Sequence, residues 1–297
     1  MKIFKKIGLV LLVIGIIGIG SYIIWDFVLP DNWFQKIKQV AEETRDSGIT
    51  GEEYTEFDRN YYPYYGFLSK EGRKLYGQVY ANALAKESKF VPIVKITVSE
   101  VENVIKAVFH DHPELFWMDG GFSYKFSEDK ICTHITLQFN DIIHDIESAE
   151  KEFHKKANEI IEYASQMGDD YSKEYHVYHK ILQIAEYDED AELNQSPYSA
   201  LVNGKSVCAG YARAFQYIMI ELGIPTYYCT GKSEGHAWNI VKLEDGYYNV
   251  DLTWDDERGT EMTYFNRTDA SLGRSHNRSG YSVLLPKCTA TKYVKDK

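Results

Sequence analysis

Cysteine pairs of the kind that hold a metal are missing from this chain. Its 297 residues include only four cysteines, Cys132, Cys208, Cys229 and Cys288, with no C-x-x-C among them. A structural zinc site is therefore not encoded. If one thiol stays free, the other three cannot all pair within one chain. Cys132 and Cys229 lie in strand-like runs and are expected as buried thiols. Positive charge is also short: 33 Lys and Arg face 44 Asp and Glu, a formal net charge of −11. The first thirty residues carry Lys2, Lys5 and Lys6 against Asp26, so the rest is more acidic still. Binding a phosphate backbone needs a basic footprint, and the reading therefore includes no nucleic acid. The chain also lacks internal repeats and low-complexity linkers. The acidic runs Asp188-Glu189-Asp190 and Asp255-Asp256-Glu257 lack the alternating oxygen spacing of a calcium loop. In His110-Asp111-His112 the two histidines stand at i and i+2, which diverge on a helix. No metal and no cofactor are expected.

Long apolar runs are scarce, with one exception. Ile7–Trp25 is an uncharged, mostly apolar stretch after Lys2, Lys5 and Lys6 and before Asp26 and Asp31. As a helix it spans roughly 28 Å, close to the ~30 Å of a hydrocarbon core. Basic before and acidic after predicts a cytoplasmic N-terminus and an extracytoplasmic body. The competing reading is a cleaved signal peptide. Gly18-Ile19-Gly20-Ser21 offers small residues but no A-x-A site, and the run is long for a signal, so a single-pass anchor within residues 1–30 is favoured. Residues 31–60 read as a juxtamembrane helix and linker.

Residues 61–168 read as an α+β region. A helix starts near Ser69 and buries Leu75, Tyr76, Val79, Tyr80, Ala83 and Leu84. Phe90–Ile96 is strand-like. Ser99 and Glu102 suggest a capping box for a helix with Val101, Val104, Ile105, Val108 and Phe109 on one face. Phe116–Phe126 and Ile131–Phe139 read as strands, and a long helix runs from about Asp145 to Gln166. A further helix near Ser172–Tyr187 opens the last region, 169–297, whose tail from Thr268 is expected to return as a final strand.

The chemistry concentrates in that region. Val207-Cys208-Ala209-Gly210-Tyr211 opens a run with apolar residues at Tyr211, Phe215, Ile218 and Leu222, a helical spacing, which Gly223 and Pro225 stop. Cys208 therefore sits at a helix N-terminus, where unpaired N–H groups and the helix dipole favour a thiolate. Downstream, Gly235–Val241 and Tyr247–Trp254 read as two strands around the turn Glu244-Asp245-Gly246. With a loop of two or four residues, His236 and Asp251 share a face, offset diagonally and within reach of a long side chain. The order nucleophile, base, orienter follows: Cys208, His236, Asp251.

The strings VCAGYARAF, GHAWNIV and YYNVDLTWDD resemble the bacterial transglutaminase-like superfamily of thiol enzymes. The resemblance is clearest from Tyr175 to Asp256 and weaker over DHPELFWMDGGFSY and LLPKCTATKY. It implies an α+β fold with a papain-like core, a cysteine-bearing helix packed on an antiparallel sheet. It also implies acyl transfer or hydrolysis at amide bonds, in which Cys208 attacks, His236 shuttles the proton and Asp251 orients the ring. An oxyanion would be held by the Cys208 N–H and a second donor, for which Tyr198, Asn203 and Ser206 are candidates. Trp238, just after His236, is placed to shield the pair from water. A peptidase or amidase is favoured over a cross-linking enzyme, with peptides or proteins of the cell envelope as substrates. The alternative is an inert member of the fold serving as a surface binding module. The oligomeric state is not encoded.

Overall fold

The computed structural model describes residues 13–15, 56–232, 235–258 and 262–294, which fall into two compact units interleaved along the chain. The first takes in residues up to 57, Leu68–Phe109 and Met118–Phe139, and the second Asp58–Phe67, His110–Trp117 and Asn140–Lys297. The stretch 61–168, read from sequence as one region, is shared between them.

In the first unit, helix α2 (Lys70–Leu84) follows a short helix α1 (Pro63–Phe67) that belongs to the second unit. Ser69 caps α2 by accepting the Gly72 N–H at 3.0 Å. A Cβ on Gly72 would fall 3.2 Å from Leu68 Cβ and Ser69 Oγ, tight against the cap, and at ordinary contact distance, 3.5 Å, from Val104 on α3 (Val98–Asp111). The expected cap is displaced by two residues. Helix α3 begins at Val98, and Glu100 N–H donates to Thr97 Oγ1 while Thr97 Oγ1 donates to the Glu100 carboxylate at 3.1 Å. The Thr97 hydroxyl and Glu100 thus cap this helix together, and Ser99 lies inside the first turn. The sheet of this unit has the order β1 (Val13–Gly15), β3 (Met118–Phe126), β4 (Cys132–Phe139), β2 (Lys89–Phe90), antiparallel throughout. The strand expected over Phe90–Ile96 is thus reduced to Lys89–Phe90.

Strand β1 lies inside the run expected as a membrane-spanning helix. The rest of that run and residues 31–55 of the expected juxtamembrane segment lie outside the described residues. Among the described residues no helix is long and apolar enough to cross a membrane.

The second unit holds the functional motifs. Helices α4 (Ile146–Ala164) and α5 (Asp170–Ile184) are capped by Asp145 and Asp169. Strand β5 (Glu186–Tyr187) then pairs in parallel with β6 (Lys205–Ser206) after a π-helical turn, Ser199–Asn203. Helix α6 (Cys208–Glu221) is buried on nearly all sides, between α5 and an antiparallel sheet of β7 (Thr226–Thr230), β8 (Ala237–Leu243) and β9 (Gly246–Val250). That arrangement, a cysteine-bearing helix on an antiparallel sheet, is the one the motifs imply. Asn239, fully buried on β8, locks sheet to helix by donating to the Ala212 carbonyl at 2.9 Å; a buried amide left unbonded would cost more than the bond returns.

Two sequence readings fail here. The strand expected through Trp254 stops at Val250, and helix α7 (Leu252–Arg258) begins at once. The cause is Asp251, whose Oδ1 accepts the N–H groups of Thr253 and Trp254 at 3.1 and 3.3 Å and so starts a helix. Among the described residues the tail forms no last strand either. It contains helix α8 (Asp269–Leu272), a 3-10 turn over Gly280–Leu284 and single bridges from Arg267 to Asn249 and from Arg278 to Gly231. Asp269 fastens it by accepting from Asn249, Arg278 and the Cys288 N–H at 2.8–3.0 Å.

Burial in this unit also traps ionisable groups. Glu174 on α5 has no exposed surface and one partner, Asn266, at 2.9 Å. Burial pushes its carboxyl up to about 8, with the Asn266 bond pulling the other way, so it is mostly neutral at neutral pH.

Candidate active site

Cys208 stands first in α6, after an extended Val207 that offers no side-chain cap. The opening N–H groups of a helix have no partner within it, so the thiol shares its position with donors that suit an anion. The preceding loop is drawn tightly against this turn. Val207 N–H donates to the Asn194 carbonyl at 3.0 Å, and Ser206 Oγ donates to the same carbonyl at 2.5 Å. Gly210 makes the approach possible. A Cβ there would fall 1.9 Å from Ser206 Oγ and 2.7–2.8 Å from the carbonyls of Asn194 and Ser196. The glycine of V-C-A-G-Y is therefore required by packing beside the cysteine.

Of the four thiols, Cys208 is half-buried and the others are buried. Burial pushes Cys132 and Cys229 up to about 12, and Cys288 also well above a free thiol. Those three are therefore held as neutral thiols.

The hairpin delivers the other two residues. Strands β8 and β9 pair as Asn239 with Val250 and Leu243 with Gly246, leaving Glu244-Asp245 as a two-residue loop. In that register Asp251 follows on opposite Trp238, so His236 lies on its face, one diagonal step away. His236 Nε2 and Asp251 Oδ2 are 2.6 Å apart. The Cys208 sulfur lies near enough to act on the charge of His236, and with Nε2 engaged by Asp251, Nδ1 is the nitrogen left for the thiol. Burial alone would push His236 down, but the bond to Asp251 and the negative charge of Asp251 and Cys208 beside the ring outweigh it and raise the imidazole to about 10. Burial would likewise raise Asp251, yet its bonds to His236 and His276 hold the carboxyl below the usual range.

Aromatic rings enclose the histidine. His236 lies nearly parallel to Trp238 at 5.9 Å and to Trp254, in the first turn of α7, at 5.2 Å. Faces of indole rings favour a cation and keep water out. Trp238 is itself fixed, its Nε1–H donating to Asn249 Oδ1 at 3.0 Å. On the side of the sheet facing α6, Tyr228 packs with Ala209, Ala212 and Ala237 against Cys208. Behind it Arg213 is fully buried and donates to the His112 carbonyl at 3.4 Å.

The three oxyanion candidates fare differently. Ser206 is spent on Asn194, and Tyr198 donates to Glu152 at 3.0 Å while stacking on Phe116. Asn203 ends the π-helical turn. Cys208, His236 and Asp251 are brought together; Ser206 and Tyr198 are engaged elsewhere. The His110-Asp111-His112 motif is structural: Asp111 accepts the N–H groups of Tyr64 and Tyr65, and His112 pairs with Glu114 at 2.7 Å.

His276 is the residue that the sequence did not flag. Its Nε2 lies 2.9 Å from Asp251 Oδ2, the same oxygen that His236 contacts. It has no motif and reaches the site only because Lys232 N–H donates to the Asn277 carbonyl and Ser279 N–H to that of Thr230, both at 2.9 Å. His236, Asp251 and His276 offer ligand atoms within 4.8 Å of one another. Ligands on a tetrahedral zinc stand about 3.3 Å apart, given bonds of ~2.0–2.1 Å. The nitrogen–oxygen distances of 2.6 and 2.9 Å are shorter and are those of shared protons.

Residues 157–252 match the family described as the Transglutaminase-like superfamily. A solved structure described as a TGase is 14% identical, with 60% of this chain and 52% of that chain covered and a TM-score of 0.32. The periplasmic domain of TgpA from Pseudomonas aeruginosa is 13% identical, with 46% and 62% covered and a TM-score of 0.29. The chain thus spans about half the length of the first and under two thirds of the second. No curated protein matches.

Proposed function

We propose that this chain is a thiol enzyme that cleaves or transfers acyl groups at amide bonds of peptides or proteins, with Cys208, His236 and Asp251 as its catalytic triad. The observation that carries the reading is the His236–Asp251 bond at 2.6 Å, beside a cysteine that heads a helix and packs against the cluster containing Ala237, the residue after that imidazole. Cys208 as thiolate attacks the carbonyl carbon and the carbonyl oxygen becomes an oxyanion, received by the Cys208 N–H. His236 gives its Nδ1 proton to the departing amine, leaving an acyl-enzyme. Asp251 holds Nε2–H, which fixes the tautomer and favours the imidazolium. Water then attacks the thioester, His236 takes its proton, and the acid leaves. A lysine amine in place of water gives transamidation. Hydrolysis is the favoured outcome.

The test is selective labelling. Brief alkylation with iodoacetamide at about pH 6 is expected to modify Cys208 before the other three thiols, since among them it alone is not buried and it heads a helix beside His236. Mass spectrometry of the digest reads the result; preferential labelling of Cys132, Cys229 or Cys288 would sink the assignment. Incubation with a glutamine-peptide library, with and without an amine donor, then separates hydrolysis from transamidation.

The proposal includes a tether through residues 7–25, with the body outside the cytoplasm and envelope peptides or surface proteins as substrates. In a bilayer this run would take the helical form, which satisfies its backbone internally, in place of the three-residue pairing of β1. External protease on intact cells is expected to remove the body. A protected body, or a mature N-terminus near Ser21, would refute the tether.

A further inference from the structure

We propose that His276 is a positioning residue of this site, a second imidazole that clamps Asp251 so that His236 presents Nδ1 to Cys208; this rests on the reading of Cys208 given above. Asp251 is buried, and every lone-pair direction it offers is used. Oδ1 takes the Thr253 and Trp254 N–H groups, while Oδ2 takes His236 Nε2 at 2.6 Å and His276 Nε2 at 2.9 Å. An ionised carboxylate only accepts, so both contacts require a hydrogen on Nε2. That requirement sets the tautomer of each ring.

His276 is built to hold still. Its side chain is 2% exposed against 12% for His236. Its other nitrogen lies 2.8 Å from Ser275 Oγ, and with the ring hydrogen on Nε2 that hydroxyl is the donor to Nδ1. The ring meets Trp238 and Trp254 edge-on at 4.8 and 4.7 Å and stacks on Tyr264 at 5.9 Å. Those same two indoles lie against His236. His276 thus fixes both the acceptor of the His236 bond and the walls that set its ring plane. Without the second donor, Oδ2 is held from one side only, and the carboxylate can swing toward its backbone partners. A ring that merely filled space would serve equally well as phenylalanine; the Nε2–H bond is what separates the two roles.

The test compares His276→Phe, which keeps ring volume but has no donor, with His276→Gln, whose amide can still donate near the same point. In wild-type protein with ¹⁵N-labelled histidines, both His236 and His276 are expected to show a low-field Nε2–H proton. In His276→Phe the His236 proton is expected to shift or broaden, and Cys208 alkylation at about pH 6 to slow roughly 10-fold, the low end of what an orienting partner contributes. His276→Gln is expected to stay within about 3-fold of wild type. Equal alkylation rates in wild type and His276→Phe would overturn the proposal, as would a Gln variant as slow as the Phe variant. If the Phe variant does not fold, the wild-type tautomer decides: a His276 hydrogen on Nδ1 alone overturns it. Failure of Cys208 to label selectively in wild type would instead refute the thiol chemistry, leaving the shared carboxylate to be read from the ring protons.

Discussion

Cys208→Ala is expected to abolish turnover of any peptide substrate, by at least about 10⁴-fold, and His236→Ala to come close to it. Each change removes a group that the others cannot replace: the attacking sulfur in one case, the proton carrier in the other. Neither should unfold the protein, because Cys208 is half-buried and heads its helix without capping it. The cost of the Cys208 change is expected to stay within ~1 kcal/mol. The pH profile follows from the sign of the histidine shift. His236 is raised to about 10, so its protonated form, able to donate to a leaving amine, persists to that pH and is lost above it. The alkaline limb of the rate is therefore expected near 10, well above the ordinary imidazole range. Steady-state rates and thermal melts on the same samples check this. An alkaline limb near 6.5, or residual activity in Cys208→Ala, would contradict the assigned roles.

Asp251→Asn is expected to lose roughly 10- to 1,000-fold in rate, less than in a serine triad because a thiolate–imidazolium pair is already charge-separated. Sequence reasoning alone expects the fold to pass this change unharmed, since size and burial hardly alter. The structure reverses that expectation. Asp251 receives four donors, and an asparagine must turn its NH₂ toward two of them whichever way it faces. A loss on the order of 2–4 kcal/mol is expected. Its pH dependence is signed. The raised His236 adds stability that is fully present below its ordinary 6.5 and is lost as pH rises through about 10. The lowered Asp251 adds stability that is present above its ordinary 3.8 and is lost as pH falls through its depressed value. The two express one bond, so the gap between wild type and variant should be widest from about pH 4 to 6.5 and narrow on either side. Melts across that range read it. A gap that is flat with pH would mean that the pair does not carry the difference.

The elements that the sequence revealed are those with strong local codes. Ser69, Asp145 and Asp169 cap helices where polar residues precede periodic apolar runs. The hairpin itself was legible, and of the two loop lengths that put His236 and Asp251 on one face the structure has the shorter, two residues. The misreadings have a common cause. Tyr247–Trp254 alternates like a strand throughout, but Asp251 finds two backbone N–H groups and turns the last part into a helix. The tail Thr268–Lys297 has apolar residues enough for a strand, yet Asn249 donates to Asp269 and the Ser279 N–H donates to the Thr230 carbonyl, partners from strands that no short sequence window contains.

By itself, the sequence placed Cys208 at or beside a helix start and let His236 and Asp251 share a face for a loop of two or four residues, because helix starts and hairpin turns are set by neighbours within a few residues; the structure chose the two-residue loop. It also determined that Gly210 follows Cys208, though not why. Tertiary structure decided the rest. It closed the 194–206 loop onto Gly210, committed Ser206 and Tyr198 to other partners and set Trp254 against His236. It also carried His276, 25 residues beyond Asp251, to the same carboxylate oxygen. Such contacts depend on where two distant segments meet, and that is fixed by the packing of the helix on the sheet rather than by any local pattern.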